Sequence, residues 1–197
     1  KIGNVVKSVI RKVLIDKSQG MYVELSRTSP KFLESLLELE VPEIKDEMIK
    51  IVGSARIPGE RAKIALSSLH PNIDAVGATV GTKGVRINAV SKELHNENID
   101  CIEYSNIPEI FIARALSPAI ISNVKIQNGK AIVTLPSDQK SKAIGKNGIN
   151  IRLTSMLTGF EIELVESGSS TVSAESSSHD DQPERDPNAL KNLFGGL

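Results

Sequence analysis

Two short stretches of this 197-residue sequence place two glycines three residues apart between helix-forming segments. They are GTKG at 81–84 and GKNG at 145–148. Glycine has no Cβ, so a ligand can approach the main chain closely, and glycine tolerates the positive φ needed to reverse direction between two helices. The helix that follows each loop offers unpaired N–H groups and a partial positive charge. We therefore predict that both loops bind an anionic backbone, such as a chain of phosphates.

Three phosphate-binding patterns can be compared with these loops. The P-loop pattern G-x-x-x-x-G-K-[ST] is absent, and GATVGTKG has neither the G-x-G-x-x-G spacing nor the preceding strand of a dinucleotide-binding turn. A KH domain joins two helices by a G-x-x-G loop that clamps a nucleic-acid backbone. Only the KH pattern fits, and it fits twice. A single G-x-x-G is more often a glycine-capped helix corner without a ligand, so the interpretation depends on the recurrence.

Residues within and beside the loops complete a predicted site for single-stranded RNA. The two middle positions of each loop are small or polar, so they can hydrogen-bond to phosphate or neutralise it without filling the gap. Branched apolar residues nearby are candidates for the floor of a base-binding groove. With 3% aromatic residues and no Trp, the composition disfavours base-stacking modules and suits an aliphatic groove. The predicted RNA-binding residues are Gly81, Thr82, Lys83, Gly84, Arg86, Ile87, Lys142, Ile144, Gly145, Lys146, Asn147, Gly148, Ile151 and Arg152.

The sequence around the two loops is a tandem repeat. Three residues recur 64 positions later, the pairs being Gly81 and Gly145, Gly84 and Gly148, and Ile87 and Ile151. In both regions the apolar patterns predict helix, strand, strand, short helix, helix and strand, and Asn128-Gly129 is a strong hairpin-turn signal. The sequence thus predicts an α+β fold with two tandem type II KH domains, each with the order α-β-β-α-α-β.

Four regions follow from these patterns. Residues 1–28 form a predicted β-hairpin, and residues 29–106 form the first KH domain, which begins with a helix capped by Ser29. Residues 107–166 form the second KH domain. The tail, 167–197, is rich in Ser and acidic residues and is predicted to be disordered, because it has too little apolar surface to bury. Since the linker SNIPE is short, we expect the KH units to pack as one rigid body, with an interface near ALSPA and the last strand of the first unit.

Composition and charge limit the other functions. The formal net charge is zero, but residues 1–166 carry 22 basic and 19 acidic residues, so the predicted globular part is slightly basic. Cys101 lies in an alternating apolar run that predicts a buried strand position, and as the only cysteine it excludes disulfides and cysteine-rich zinc sites within the chain. His70, His95 and His179 show no catalytic or metal-ligand spacing, so we expect no catalytic residue, no metal, no cofactor and no enzymatic activity. No run approaches a membrane span and the start has no signal-peptide pattern, so we expect a cytoplasmic monomer without membrane contact.

Five stretches that together cover about residues 20–166 carry a family resemblance: LSRTSPKFLESLLELEVPEI, ARIPGERAKIALSS, PNIDAVGATVGTKGVRINAV, ALSPA and AIGKNGINIRLTSMLTGFEIEL. They resemble the NusA family of bacterial transcription elongation and termination/antitermination factors. In that family an OB-fold barrel precedes two type II KH domains, so the resemblance implies that residues 1–28 are the last strands of that barrel.

The resemblance also implies a role in transcription. It implies a factor that rides on RNA polymerase, holds nascent RNA, and modulates pausing, termination and antitermination with other Nus factors. The family's polymerase-binding N-terminal domain, most of its barrel and the acidic repeats of some members have no counterpart in this sequence. RNA polymerase is therefore an expected partner of the full-length factor.

Three other classes of function stay open on the residues alone. The nearest is another KH protein, associated with the ribosome or a GTPase, although the missing P-loop and modest charge disfavour it. An enzyme acting on a phosphorylated ligand would require turnover of a nucleotide. A protein-interaction module would use the tail or the acidic segment 34–47, where an ordinary solvated face is the simpler explanation, and a pull-down with and without ribonuclease would separate it from RNA binding. The acidic cluster in that segment comprises Glu38, Glu40, Glu43, Asp46 and Glu47.

Overall fold

A computed structural model describes residues 2–18 and 20–167 of the chain. The predicted disordered tail, 167–197, lies outside the described residues apart from Ser167, and so does His179. None of the helices in the described part has the length and apolar character that crossing a membrane requires.

The chain begins with the predicted hairpin. Strands β1 (Val9–Asp16) and β2 (Gly20–Ser26) pair antiparallel and expose apolar side chains such as Ile15 and Met21. Arg27, directly after the hairpin, donates from Nη2 to the carbonyl oxygen of Glu93 at 2.8 Å, which ties the hairpin to the next unit. The structure thus confirms a hairpin, while its assignment to an OB-fold barrel stays a prediction.

The first KH domain is built around a central strand. Strand β4 pairs antiparallel with β3 and parallel with β5, and the parallel pairing requires the helical crossover that carries the first glycine loop. The four-residue helix α2 was absent from the predicted elements, because a single turn is too short to show a helical period. The elements are α1 (Pro30–Glu40), α2 (Pro42–Lys45), β3 (Ile49–Ile57), β4 (Arg61–Ser68), α3 (Ala75–Val80), α4 (Val85–Glu93) and β5 (Asn98–Glu103).

The second KH domain repeats this plan without the extra helix. Its central strand β7 pairs antiparallel with β6 and parallel with β8. Asn128 and Gly129 both have positive φ, at 50° and 78°, as the predicted tight hairpin turn requires. The elements are α5 (Pro108–Ala115), β6 (Asn123–Gln127), β7 (Lys130–Leu135), α6 (Ser137–Ile144), α7 (Ile149–Thr158) and β8 (Glu161–Glu166). The predicted α+β fold with two tandem KH domains is confirmed.

Helix α1 shows how local sequence sets these elements. The Oγ of Ser29 accepts a hydrogen bond from the N–H of Lys31 at 3.3 Å, and Pro30 occupies the first turn, as predicted. One face of the helix is apolar and packs on the sheet, and burying each large side chain contributes about 2 kcal/mol. The buried residues on this face are Phe32, Leu33, Leu36 and Leu37.

A small core joins the two KH domains. Phe111 and Ala115 of α5 are buried against Ala65 and Ile102 of the first sheet. The ring of Phe111 meets that of Tyr104 edge-on, with the centroids 5.1 Å apart. This core places α5 directly against the end of β5.

Lys63 adds a polar tie at the same junction. Its side chain is fully buried, and Nζ donates to Oδ2 of Asp100 on β5 at 3.0 Å and to the carbonyl oxygen of Ser117 at 3.2 Å. Burial lowers the pKa of Lys63, and the Asp100 carboxylate opposes that effect. Since Ser117 lies in ALSPA, the interface predicted between that segment and the last strand of the first unit is confirmed.

Candidate nucleic-acid interface

The first glycine of each loop ends a helix in a conformation that only glycine adopts readily. Gly81 has φ 74° and ψ 168°, and Gly145 has φ 73° and ψ 171°. Their N–H groups close the preceding helices by donating to the carbonyl oxygens of Gly77 and Ser141, each at 2.9 Å. The two corners therefore leave their helices in the same direction.

The rest of each loop follows the same path. Lys83 has φ 55° and ψ 25° and Asn147 has φ 54° and ψ 24°, both in the left-handed region. Gly84 and Gly148 follow at φ 75° and 72°. Two successive left-handed residues bring the chain directly into the next helix, so the duplicated sequence pattern corresponds to a duplicated backbone.

The helices that follow the loops start without a side-chain cap. Neither Gly84 at the start of α4 nor Gly148 at the start of α7 has a side chain that could accept from the first-turn amides. Elsewhere the chain does supply such caps, as Asp74 does for α3. Both uncapped N-termini can therefore donate to an anion from outside the protein.

The side chains at the middle of each loop are exposed, as the site prediction requires. Thr82, Lys83, Lys146 and Asn147 are all solvent-exposed. Among the described residues, four of the predicted cations take part in no ion pair, and all four are exposed. They are Lys83, Lys142, Lys146 and Arg152. Their charges are available to a polyanion.

Arg86 is the member of the predicted set whose guanidinium is already used within the protein. Its Nη1 donates to Oε2 of Glu43 at 2.9 Å and to the carbonyl oxygen of Ala78 at 2.6 Å. The pKa of Glu43 is lowered, chiefly by a hydrogen bond to its own backbone amide and further by Arg86, against the effect of burial. Arg86 thus braces the first loop from behind, and Glu43 belongs to that brace rather than to a purely solvated acidic face.

Asn150 does the same work in the second domain, and sequence reasoning missed it. It stands five residues after Gly145, as Arg86 stands five residues after Gly81. Its buried Nδ2 donates to the carbonyl oxygens of Lys142 and Ala143 and to that of Leu116, at 3.1–3.3 Å. Alignment of the two repeats by their 64-residue offset would have paired Asn150 with Arg86.

Beside the first loop lies a groove between α3 and the free edge of β5. A cavity of about 540 Å³ is lined by Val76 and Val80 of α3, residues 99–103 of β5, and Arg114 and Ser117 of the second domain. Cys101 lies on this strand and is half-buried rather than fully buried, because β5 is an edge strand. Burial raises the pKa of its thiol to about 12. Two of the branched apolar residues beside the first loop, Val76 and Val80, thus line a groove, and its role as the floor of a base-binding site stays a prediction.

The remaining predicted apolar residues are half-buried. Ile87 packs against the core of the first domain, and Ile144 and Ile151 flank the second loop. In the described residues, no group of three or more His, Cys, Asp or Glu side chains is arranged to hold a metal ion. The site is therefore made of main-chain amides, cations and aliphatic side chains.

Comparisons with known proteins agree with this architecture. Residues 27–104 match the NusA-like first KH domain, and residues 108–172 match the NusA-like second KH domain. The chain is 48% identical over 218 aligned positions to the transcription termination/antitermination protein NusA of Helicobacter pylori, covering 98% of this chain and 55% of that protein. It is 45% identical to that of Thermus thermophilus (83% of this chain, 43% of the relative) and 40% identical to that of Bacillus subtilis (78% and 43%).

The chain spans about half the length of these curated relatives. The two domain matches together cover most of the chain, and they begin and end close to the two repeats seen in the structure. The chain belongs to the NusA family.

Proposed function

We propose that this chain binds single-stranded RNA by holding the sugar-phosphate backbone at both G-x-x-G loops. The observation that carries the proposal is the pair of equivalent corners, where an uncapped helix N-terminus lies beside exposed cations that have no ion-pair partner among the described residues. Main-chain amides at such a terminus bind phosphate, and the cations add sequence-independent attraction. The absence of a Cβ at the glycines lets the strand reach those amides.

The family supports the wider biological role. The relatives are named transcription termination/antitermination proteins, so we propose that the bound RNA is a nascent transcript and that the full-length factor regulates pausing, termination and antitermination. Its partners would be RNA polymerase and the other Nus factors. In that role, the two KH domains would keep the emerging strand extended.

The candidate contacts are tested by reversing charge at the middle of each loop. The double variants T82D/K83D and K146D/N147D place carboxylates where phosphates would lie, and each should weaken binding of a single-stranded RNA by about tenfold or more at low salt. The measurement is fluorescence anisotropy over a range of salt concentrations.

A matched control makes the same kind of change away from the loops. Lys125 and Gln127 lie on the exposed face of β6, so K125D/Q127D alters charge equally without touching either corner and should have a much smaller effect. If the folded loop variants bind RNA as well as the wild-type chain does, the proposal is rejected.

A further inference from the structure

The two KH domains differ in the groove beside the loop. Val76 on α3 and Lys140 on α6 occupy the same position, five residues before the first glycine of their loops. Glu103 and Glu166 also correspond, because they end their edge strands opposite Leu66 and Leu135 in the same register. The first domain thus has Val facing Glu across the groove, and the second has Lys facing Glu.

In the first domain the groove is open. The carboxylate of Glu103 pairs with Nη1 of Arg114 at 3.0 Å instead of with α3. Arg114 comes from the second domain, so this ion pair depends on the packing of the two domains. What lies between α3 and β5 is the cavity of about 540 Å³, within the size range of small-molecule sites. Its α3 side is formed by Val76 and Val80, and Asp100, Glu103 and Arg114 line its other side.

In the second domain an ion pair bridges the corresponding groove. Nζ of Lys140 donates to Oε1 of Glu166 at 2.7 Å and so joins α6 to β8. Both side chains are about two-fifths exposed, at 44% and 41%, so the pair is weak by itself. Its effect is to place two solvated charges where the first domain has Val76, so a base would have to displace those charges to reach the half-buried Ile144, which stands at the position of Val80.

The groove favours the first domain, but the exposed cations around the loops favour the second. Beside the first loop Lys83 is in no ion pair with any residue that the structure describes, whereas Arg86 is held by Glu43. Beside the second loop Lys142, Lys146 and Arg152 are all exposed and, within the described residues, in no ion pair. The second corner therefore has the stronger attraction for phosphate and the first has the better groove for a base.

We propose that the two domains divide the recognition of one RNA strand: the first seats a nucleobase in its open groove, and the second holds only the sugar-phosphate backbone because Lys140 and Glu166 close its groove. This inference rests on the RNA binding proposed above. It assigns base discrimination to Val76 and its neighbours, and it makes Lys140 the residue that prevents base reading in the second domain.

The test is an abasic scan of a bound single-stranded RNA. Each nucleotide in turn is replaced by an abasic ribose, which keeps the phosphates, and affinity for the full chain is measured by anisotropy. One contiguous stretch should lose about tenfold in affinity, and the remaining positions should change less than about twofold.

Two matched substitutions assign that stretch to a domain. V76K places a lysine in the first groove at the position that Lys140 has in the second and should abolish the abasic sensitivity, whereas K140V should create a second sensitive stretch. If V76K fails to fold, the abasic scans of the wild-type chain and of K140V still test the proposal. Two sensitive stretches in the wild-type chain, or no new one in K140V, would overturn the division of labour. Absence of any RNA binding by the wild-type chain would instead reject the proposed function itself.

Discussion

The corner of the first KH domain is braced by a charged side chain and that of the second by a neutral one. Arg86 reaches the carbonyl oxygen of Ala78, three residues before Gly81, and Asn150 reaches that of Lys142, three residues before Gly145. The backbone angles of the two loops nevertheless agree within a few degrees. What the fold requires is a donor at this position that ties the incoming helix to the outgoing one, and its charge is free to vary.

The two braces differ in how tightly they enclose the first glycine. A Cβ added at Gly145 would lie 2.7 Å from Cβ and 3.1 Å from the backbone nitrogen of Asn150. One added at Gly81 would meet the side chain of Arg86, at 2.9 Å from Cγ. The contacts at Gly81 involve only side-chain atoms of Arg86, whereas those at Gly145 are closer and include backbone atoms of Asn150, which cannot move without moving α7.

The largest expected effect distinguishes the two first glycines. A Cβ at residue 145 would meet backbone, and the combination of φ near 73° with ψ near 171° is essentially restricted to glycine. G145A should therefore lower the free energy of unfolding of the second domain by about 3 kcal/mol. G81A should cost the first domain about 2 kcal/mol, since the added Cβ would meet only side-chain atoms of Arg86. Native-state amide hydrogen exchange at Val133 and Ile64, which lie in the two domain cores, reports each domain separately.

The control for G145A is a substitution at Gly148, the second glycine of the same loop. No atom lies within 4 Å of a Cβ added at Gly148, so G148A should cost only the left-handed strain of about 1 kcal/mol. Equal losses in G145A and G148A would contradict the steric difference described here.

The next largest effect concerns the braces themselves. N150A removes the buried donor from the carbonyl oxygens of Lys142 and Ala143, whereas that of Leu116 still accepts from the N–H of Ala119, and it should destabilise the second domain by about 2 kcal/mol. R86A removes a half-buried, partly solvated contact and should cost the first domain about 1 kcal/mol. The measurement is again hydrogen exchange at the two cores.

Asn88 offers a matched control for N150A, because it is an exposed asparagine in α4. N88A should leave stability almost unchanged. If R86A destabilised its domain more than N150A does, burial would not be what distinguishes the two braces.

The smallest effect is a difference in pH response. The pKa of Glu43 lies below its ordinary value of 4.5, so its contribution to stability is complete above pH 4.5 and is lost as the pH falls below that value. The first corner should loosen in acid by less than about 1 kcal/mol. The second corner has no titrating brace and should not respond.

NMR chemical shifts of the Gly81 and Gly145 amides between pH 6 and about 3 would show this difference. In E43Q the shift change at Gly81 should disappear. A matching transition at Gly145 in the wild-type chain would argue against Glu43 as its source.

Most of the fold and the position of the candidate site could be predicted from the sequence, because both depend on local patterns. The G-x-x-G spacing, the cap at Ser29 and the Asn128-Gly129 turn each specify backbone conformation within a few residues. The role of Arg86 could not be predicted in the same way, since its partner Glu43 is 43 residues away. Helix α2, which carries Glu43, is too short to show periodicity, and the half-burial of Cys101 depends on β5 being an edge strand.

The sequence by itself determined that two glycine corners exist, because only glycine can adopt their backbone angles without strain. It also determined the order of elements around them, through apolar periodicity and turn residues. The tertiary structure alone decided which cations stay free for a ligand, because pairing depends on which side chains folding brings within a few ångströms. It likewise decided that Glu103 pairs with Arg114 of the second domain, whereas Glu166 pairs with Lys140.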